Sequence, residues 1–502
     1  MTILGVFIFL IILMTAGIGI DLMRFERERA LLQTTLDRAV LAAADLDQEL
    51  SPKSVVQDYL DKAGFPDSLK SVQVKEGLGF RKVTAVAQYG FPTQFMHLSG
   101  VDSLTANTAS TAEESVQAVE ISLVLDISGS MGETARGSGR TKLSHLKTAA
   151  KEFVAQILKN SDQTDTSISI IPYASQVNVG EALLDKFTNV TQEHDYSHCV
   201  NFIPEQFSDS DLHRGDRLER AAHFDPFTYS EGVIDIPVCP VRDGSAITPL
   251  TNNISVLNKQ IDALTAKGNT SIDIGMKWGV ALLDPSMRDI VGDLSADGIV
   301  PAEFANRPVN YDEDVLKVVI VMTDGQNTDQ YLLNPSLRSG LSDVWYNKTA
   351  GRYSVYHSQG KKNYYWPRPG RRGEWANHPY GDNEKGTAVR LTYPELFARA
   401  SLAWNAEYNY RFLPNNWGRW YQAAFSKINW KAKDQRSKHV CRAAKRQGII
   451  VYGIAFEAPA SGFKLISDCA SSPSHVYDVE GLDIEKAFTS IASSIKKLRL
   501  TQ

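Results

Sequence analysis

Hydrophobic periodicity changes character several times along this 502-residue chain, and each change marks a different element. Residues 2–20 (TILGVFIFLIILMTAGIGI) form an uncharged apolar run of nineteen. At 1.5 Å of helical rise per residue the run extends about 28 Å, enough to cross a bilayer. In residues 22–44 the pattern becomes amphipathic, with Leu22, Phe25, Leu32, Leu36, Ala39 and Ala43 at helical spacing. The apolar run is therefore predicted to continue as one long helix. A cleaved signal peptide is the competing reading, but the small residues Ala42 to Ala44 lie too far downstream to serve as its cleavage site.

After this helix, residues 52–64 read as a short helix, while 71–74 and 82–88 alternate or carry β-branched residues as half-exposed strands do. With the Thr/Ala/Ser-rich stretch 104–112 they predict a small β-rich spacer over 65–115. The alternative is that these strands extend the sheet of the domain that follows. From residue 119 the pattern turns to short apolar runs separated by helical periodicity. VEISLVLD (119–126) is a buried strand, and Leu143, Leu146, Ala150, Phe153 and Ile157 mark a helix over Lys142–Leu158. SISIIP (167–172) is a second strand, 271–283 a helix, and LKVVIVMTD (316–324) a third strand. The end of the chain predicts a helix at 437–447, a strand at 449–456, a short helix ending at Cys469, a strand at 475–477 and a helix at 484–498. Strand, helix, strand implies a parallel doubly wound α/β sheet, in which ligands bind beyond the carboxyl ends of the strands.

Two segments interrupt that alternation, at about 177–250 and 326–435. The second holds seven of the eight tryptophans, Trp345, Trp366, Trp375, Trp404, Trp417, Trp420 and Trp430, and a basic run from Lys361 to Arg372. It reads either as a subdomain with its own aromatic core, closed by a helix over 393–412, or as a recognition surface. The expected organisation is 1–48 membrane anchor and amphipathic helix, 49–116 spacer, and 117–500 an α/β domain with both insertions.

The candidate chemistry lies where the first α/β strand breaks off. Asp126, Ser128 and Ser130 are spaced two apart, so a loop leaving the strand can turn all three toward one point, with Gly129 letting the backbone curl. They offer hard oxygen ligands with no His or Cys, which suits Mg²⁺, Mn²⁺ or Ca²⁺ rather than zinc. A Ser-rich turn capping the next helix is the bland alternative. Two later loops add Thr270, at the head of the 271–283 helix, and Asp324, at the end of the 316–324 strand. With these five positions filled in order, the chain resembles the von Willebrand factor A domain and its metal-ion-dependent adhesion site. The resemblance implies that Ser128, Ser130 and Thr270 contact the ion and that Asp126 and Asp324 hold it directly or through water. It also implies an open coordination position for a carboxylate from a partner. The apolar run, Asp21, and the stretch from Leu32-Gln33 through Asp37 to Ala42-Ala43-Ala44 resemble the amino-terminal segment of the TadE/TadG family of pilus-assembly proteins. That resemblance implies a membrane-bound component of a Flp-type pilus, with other pilus-assembly proteins or a surface ligand as partners.

Charge and cysteines narrow the setting. A net charge of −5 and the lack of a long basic stripe argue against nucleic acid as the main partner. Four cysteines are most economically paired as 199–239 and 441–469, which points to an oxidising compartment; four buried free thiols are the alternative. Arg24, Arg27 and Arg29 after the anchor would by the positive-inside rule keep the rest cytoplasmic. The cysteines and the family resemblance favour a single-pass protein of the bacterial inner membrane with most of the chain in the periplasm. Motifs for a zinc protease, a serine hydrolase or a P-loop are missing in any supporting context, so no enzyme is expected. A metal-free envelope scaffold is the alternative function, and a metal-dependent hydrolase a weaker one. Arg214-Gly215-Asp216 reads as a chance tripeptide, and His194, His198, His213 and His223 as solvent-facing loop residues.

Overall fold

The computed structural model describes residues 2–501 except 46, 47, 49, 78–79, 116–117, 159–165, 230–233, 314, 359–360 and 369. The chain forms two compact units, one of residues 1–117 with 498–502, the other of 118–497. In the first, a single helix runs from Thr2 to Ala44. Its apolar beginning is uncovered, from Ile3 at 76% exposure to Met14 at 45%, whereas Leu32, Leu36, Ala39, Val40 and Ala43 further along are buried. These residues share a core with Val55, Val56 and Leu60 of the helix Pro52–Lys62 and with Val83, Ala85, Ala87 and Ala106 of an antiparallel sheet. That sheet consists of Leu69–Gly77, Phe80–Pro92 and Ser103–Ser115, longer strands than the sequence pattern marks. The alanines on its inner face let the helix backbone approach closely. The sheet is separate from that of the α/β unit, so its strands do not extend the larger sheet.

The second unit is built on six strands, numbered here within that sheet: β1 Ala118–Asp126, β2 Thr166–Tyr173, β3 Thr248–Thr251, β4 Val315–Thr323, β5 Ile450–Phe456 and β6 Val476–Val479. Their spatial order is β6-β5-β4-β1-β2-β3. All neighbours are parallel except β2 and β3. This is the doubly wound, mainly parallel α/β arrangement expected of a von Willebrand A-type domain, with its connections changing direction between β1 and β4. β1, β2 and β4 are buried along nearly their whole length, which is why they read as unbroken apolar runs instead of alternating ones. The helix Ile272–Ala281 lies hard against the sheet. A Cβ on Gly275 would come within 2.9 Å of both Tyr173 and Val124, and one on Gly279 within 2.5 Å of Val124.

Several expected boundaries move. β3 falls inside the expected 177–250 insertion, so the insertion ends before Thr248. The helix expected at 437–447 begins at Trp430, where Asn429 caps it by accepting the N–H of Ala432. The single helix expected over 393–412 is broken into Tyr393–Phe397, Leu402–Trp404 and a wide turn at Asn405–Asn409. The break occurs because Ser401 Oγ accepts the N–H of Trp404 and starts a new helix, while the Leu402 N–H donates to the Asp225 carbonyl.

The tryptophan-rich segment does contain its own sheet, ordered Glu374–Ala376, Tyr364–Trp366, Arg352–Tyr356, Leu341–Asn347, Ala388–Thr392. Its core is not its own alone. Ala222, Phe224 and Val238 of the first insertion pack with Leu333, Val344, Val355, Leu396, Phe397 and Tyr410 of the second. The Tyr421 hydroxyl donates to the Pro226 carbonyl at 2.8 Å. The disulfides are Cys199–Cys239, inside the first insertion, and Cys441–Cys469, which ties the helix before β5 to the helix after it.

Candidate metal centre

Asp126 is the last residue of β1, opposite Tyr173 on β2, and Leu125 beside it lies opposite Met322 on β4. The β1 loop and the β4 loop thus leave the sheet side by side at its carboxyl edge. Asp126 is fully buried, and both its oxygens are engaged. Oδ1 accepts the Ser128 N–H at 2.8 Å, and Oδ2 accepts the Thr323 hydroxyl at 2.7 Å and that of Tyr173 at 3.3 Å. The carboxylate thereby holds the turn that follows it. Ser128 Oγ is 3.1 Å from Ser130 Oγ, and Ser130 Oγ donates to Asp324 Oδ1 at 2.7 Å. The other oxygen of Asp324 accepts the buried ammonium of Lys142 at 3.0 Å.

Thr270 belongs to the third loop, which is clipped to the first: Gly129 N–H donates to Gly268 O at 2.9 Å and Lys267 N–H to Ile127 O at 3.1 Å. Measured from the point where Gly325 would carry a Cβ, Thr270 Oγ1 is 3.7 Å away and Ser130 Oγ 3.9 Å. Ser128, Ser130 and Asp324 therefore form a hydrogen-bonded chain with Thr270 at its side. Asp126 stands one step behind, acting on the cluster through Ser128. Burial, and secondly the negative charge of Asp324, push the Asp126 carboxyl well above the usual carboxylate range, against the hydrogen bonds from Ser128 and Thr323. Among the described residues no group of three or more His, Cys, Asp or Glu is placed to hold a metal.

The support around Thr270 carries no local sequence signal. Thr270 N–H donates to Thr328 Oγ1 at 2.9 Å, and its carbonyl accepts the Lys433 ammonium at 3.0 Å. Lys433 is fully buried, with Asp273 at 3.7 Å, and Arg436 lies 3.9 Å from the same carboxylate. Asn327 Oδ1 accepts the N–H of Ile272 at the head of the Thr270 helix, and its amide donates to Asp434 and Ser437. The helix Trp430–Arg446 thus braces the loop that presents Thr270. Lys142, Thr323 and Tyr173 also escape a search for ligand spacing, because each acts through a partner distant in sequence.

One expectation about the first insertion changes. His194 and His223 are buried, not solvent-facing, with ring centroids 6.2 Å apart and His194 Nε2 2.9 Å from the Ala221 carbonyl. His213 is exposed as expected. In the Arg214–Asp216 tripeptide, Arg214 pairs with Asp293 at 2.7 Å and Asp216 Oδ2 accepts the His213 N–H at 2.8 Å, so both side chains are used internally.

Residues 1–46 match the family model described as putative Flp pilus-assembly TadE/G-like. No curated protein matches the chain. Among solved structures, the pilus adhesin SpaC from Lactobacillus rhamnosus GG is 14% identical over 85% of this chain, with TM-score 0.33. The alignment takes in 33% of SpaC, so the chain spans about a third of that adhesin. The vWF domain of the type V pili tip protein Mfa5 from Porphyromonas gingivalis is 12% identical, covering 77% of this chain and 97% of that one, with TM-score 0.34. The pilus adhesin RrgA from Streptococcus pneumoniae is 12% identical over 84% of this chain and 49% of its own, with TM-score 0.32.

Proposed function

We propose that this chain is a membrane-anchored component of a Flp-type pilus, acting in assembly or adhesion, that binds a carboxylate of a protein partner through a divalent cation at the Asp126–Asp324 cluster. The observation that carries the reading is the convergence of three loops on Ser128, Ser130, Thr270 and Asp324 at the carboxyl edge of the sheet. The donor set fits a hard cation: two carboxylates and three hydroxyls are gathered, one of the carboxylates paired with an ammonium, and the charge of Asp324 adds to the cost of ionising the buried Asp126. Ser128, Ser130 and Thr270 would hold Mg²⁺, Mn²⁺ or Ca²⁺, with Asp126 and Asp324 acting directly or through water. Bound there, the ion supplies positive charge for a partner's acidic side chain. The chain's own residues do the rest: Asp126 orients Ser128, Thr328 and Lys433 fix Thr270, and Lys142 holds one oxygen of Asp324 in place. The pilus assignment rests on the family match over residues 1–46. The two disulfides favour an oxidising periplasmic location for the α/β unit, anchored in the inner membrane.

The Lys142–Asp324 pair favours a second reading, a metal-free scaffold in which the ammonium itself neutralises Asp324. Thermal unfolding of the detergent-solubilised full chain against Mg²⁺, Mn²⁺ and Ca²⁺ separates the two. A saturable rise in Tm that disappears in Asp126→Ala and Ser130→Ala supports the metal site, because a ligand of the folded state alone must stabilise it. No rise with any of the three ions in the unaltered protein would sink it in favour of the scaffold.

A further inference from the structure

The long helix carries a second feature beside its uncovered apolar segment. The strands Phe80–Pro92 and Ser103–Ser115 are joined by a hairpin tip whose only ionisable side chain between Pro92 and Asp102 is His97. The tip is ordered by the helix. Asp21, almost fully buried, accepts the N–H groups of Gln94 at 3.0 Å, Phe95 at 2.7 Å and Met96 at 2.8 Å. One helical turn earlier, the bare Cα of Gly17 lies against Phe95; a Cβ there would meet the Phe95 Cβ at 2.7 Å. Despite these contacts the tip keeps its apolar side chains outward, with Phe95 39% and Leu98 72% exposed.

Gly17 lies within the apolar run and four residues before Asp21, about 6 Å along the helix axis. Whatever surrounds residues 2–20 therefore also reaches the hairpin tip. We propose that the tip is a second membrane contact, with Phe95 and Leu98 inserted at the boundary between lipid headgroups and acyl chains of the bilayer that residues 2–20 cross. The depth agrees with that of interfacial segments, which bury about 5–10 Å into this boundary. Asp21 makes the insertion affordable by accepting three backbone N–H groups that lipid cannot satisfy. The consequence is mechanical: two attachment points, a spanning helix and a dipping loop, fix the sheet's orientation on the membrane.

The inference rests on reading residues 2–20 as a membrane span, and the test keeps the two apart. Single cysteines are introduced by Phe9→Cys, Leu98→Cys and Lys70→Cys and given a fluorophore; the native cysteines are all in disulfides. The full chain is reconstituted in phosphatidylcholine–phosphatidylglycerol vesicles carrying spin-labelled lipids quenching at the headgroup boundary or mid-chain. The expected result is mid-chain quenching at position 9, boundary quenching at position 98 and none at position 70. In Asp21→Ala, quenching at 98 is lost while that at 9 persists. Position 98 behaving like 70 while 9 is quenched overturns the inference and leaves the anchor standing. No quenching at 9 overturns the anchor itself, and disulfide-linked dimers through position 98 would assign the tip to a second copy of the chain instead.

Discussion

β1 and β4 carry a buried charge cluster at each end, and the two are built differently. At the amino end, Glu120 and Lys317 form a 2.7 Å ion pair in which every partner is accounted for. Lys317 also donates to the Leu283 and Val309 carbonyls, and the second oxygen of Glu120 accepts the Val309 N–H. One carboxylate meets one ammonium and all donors are used. At the carboxyl end, six residues further along β1, Asp126 accepts one N–H and two hydroxyls, Asp324 pairs with the Lys142 ammonium, and the hydroxyls of Ser128, Ser130 and Thr270 are gathered nearby. A balanced, saturated pair holds a fold together. The oxygen-rich cluster at the other end is where the proposed cation would bind.

The largest effect should come from breaking the balanced end. Glu120→Ala strands a buried ammonium and should cost about 3–5 kcal/mol in denaturant unfolding, whereas Glu120→Leu with Lys317→Met should cost far less, because the charges leave together. If the single and double changes cost the same, Glu120 and Lys317 are not coupled as described. At the other end, adding Mg²⁺ or Mn²⁺ at about 100 times its Kd should raise stability by about 2.7 kcal/mol. That gain should survive the Glu120/Lys317 double change and vanish in Asp126→Ala.

A third buried polar group sharpens the contrast through pH. Burial, and secondly His194, push His223 down to about 4, below its ordinary value near 6.5. Its folded pKa is lowered, so the neutral form belongs to the fold; its stability contribution is complete above about pH 6.5 and is lost as the pH falls toward 4. Acid should therefore remove up to about 3 kcal/mol, and His223→Gln should flatten the stability profile over that window. Melting curves of the two proteins between pH 4 and 7 decide it. The smallest effect concerns Lys142. Replacing it with Gln removes a positive charge beside the cation position and should tighten ion binding by about tenfold or less, or roughly 1 kcal/mol of relieved repulsion. Calorimetric titration showing weaker binding would mean that Lys142 mainly positions Asp324.

Local pattern made much of this legible. The helix Lys142–Leu158 has the bounds its Leu, Ala and Phe spacing predicts. The cysteine pairs are those that lie nearest in sequence. Asp126, Ser128, Ser130, Thr270 and Asp324 stood out because each follows or precedes a strongly apolar element, and such elements end where a sheet ends. Less legible were features whose cause lies elsewhere in the chain. The helix expected over 393–412 fails because Ser401 offers a competing cap and Asp225, in the other insertion, takes the next N–H. Two of the four histidines expected in solvent, His194 and His223, are buried because loop composition says nothing about which loop packs on which.

The sequence alone determined the periodic elements, the apolar run and the order in which oxygen-bearing residues appear, since each depends on neighbours within a helical turn or a strand. Only the tertiary structure decided that the two insertions share one core, that Lys433 braces Thr270, and that Lys142 sits on Asp324. Those outcomes depend on which buried groups find partners across long stretches of chain. Periodicity records whether a residue is buried, but not what it is buried against.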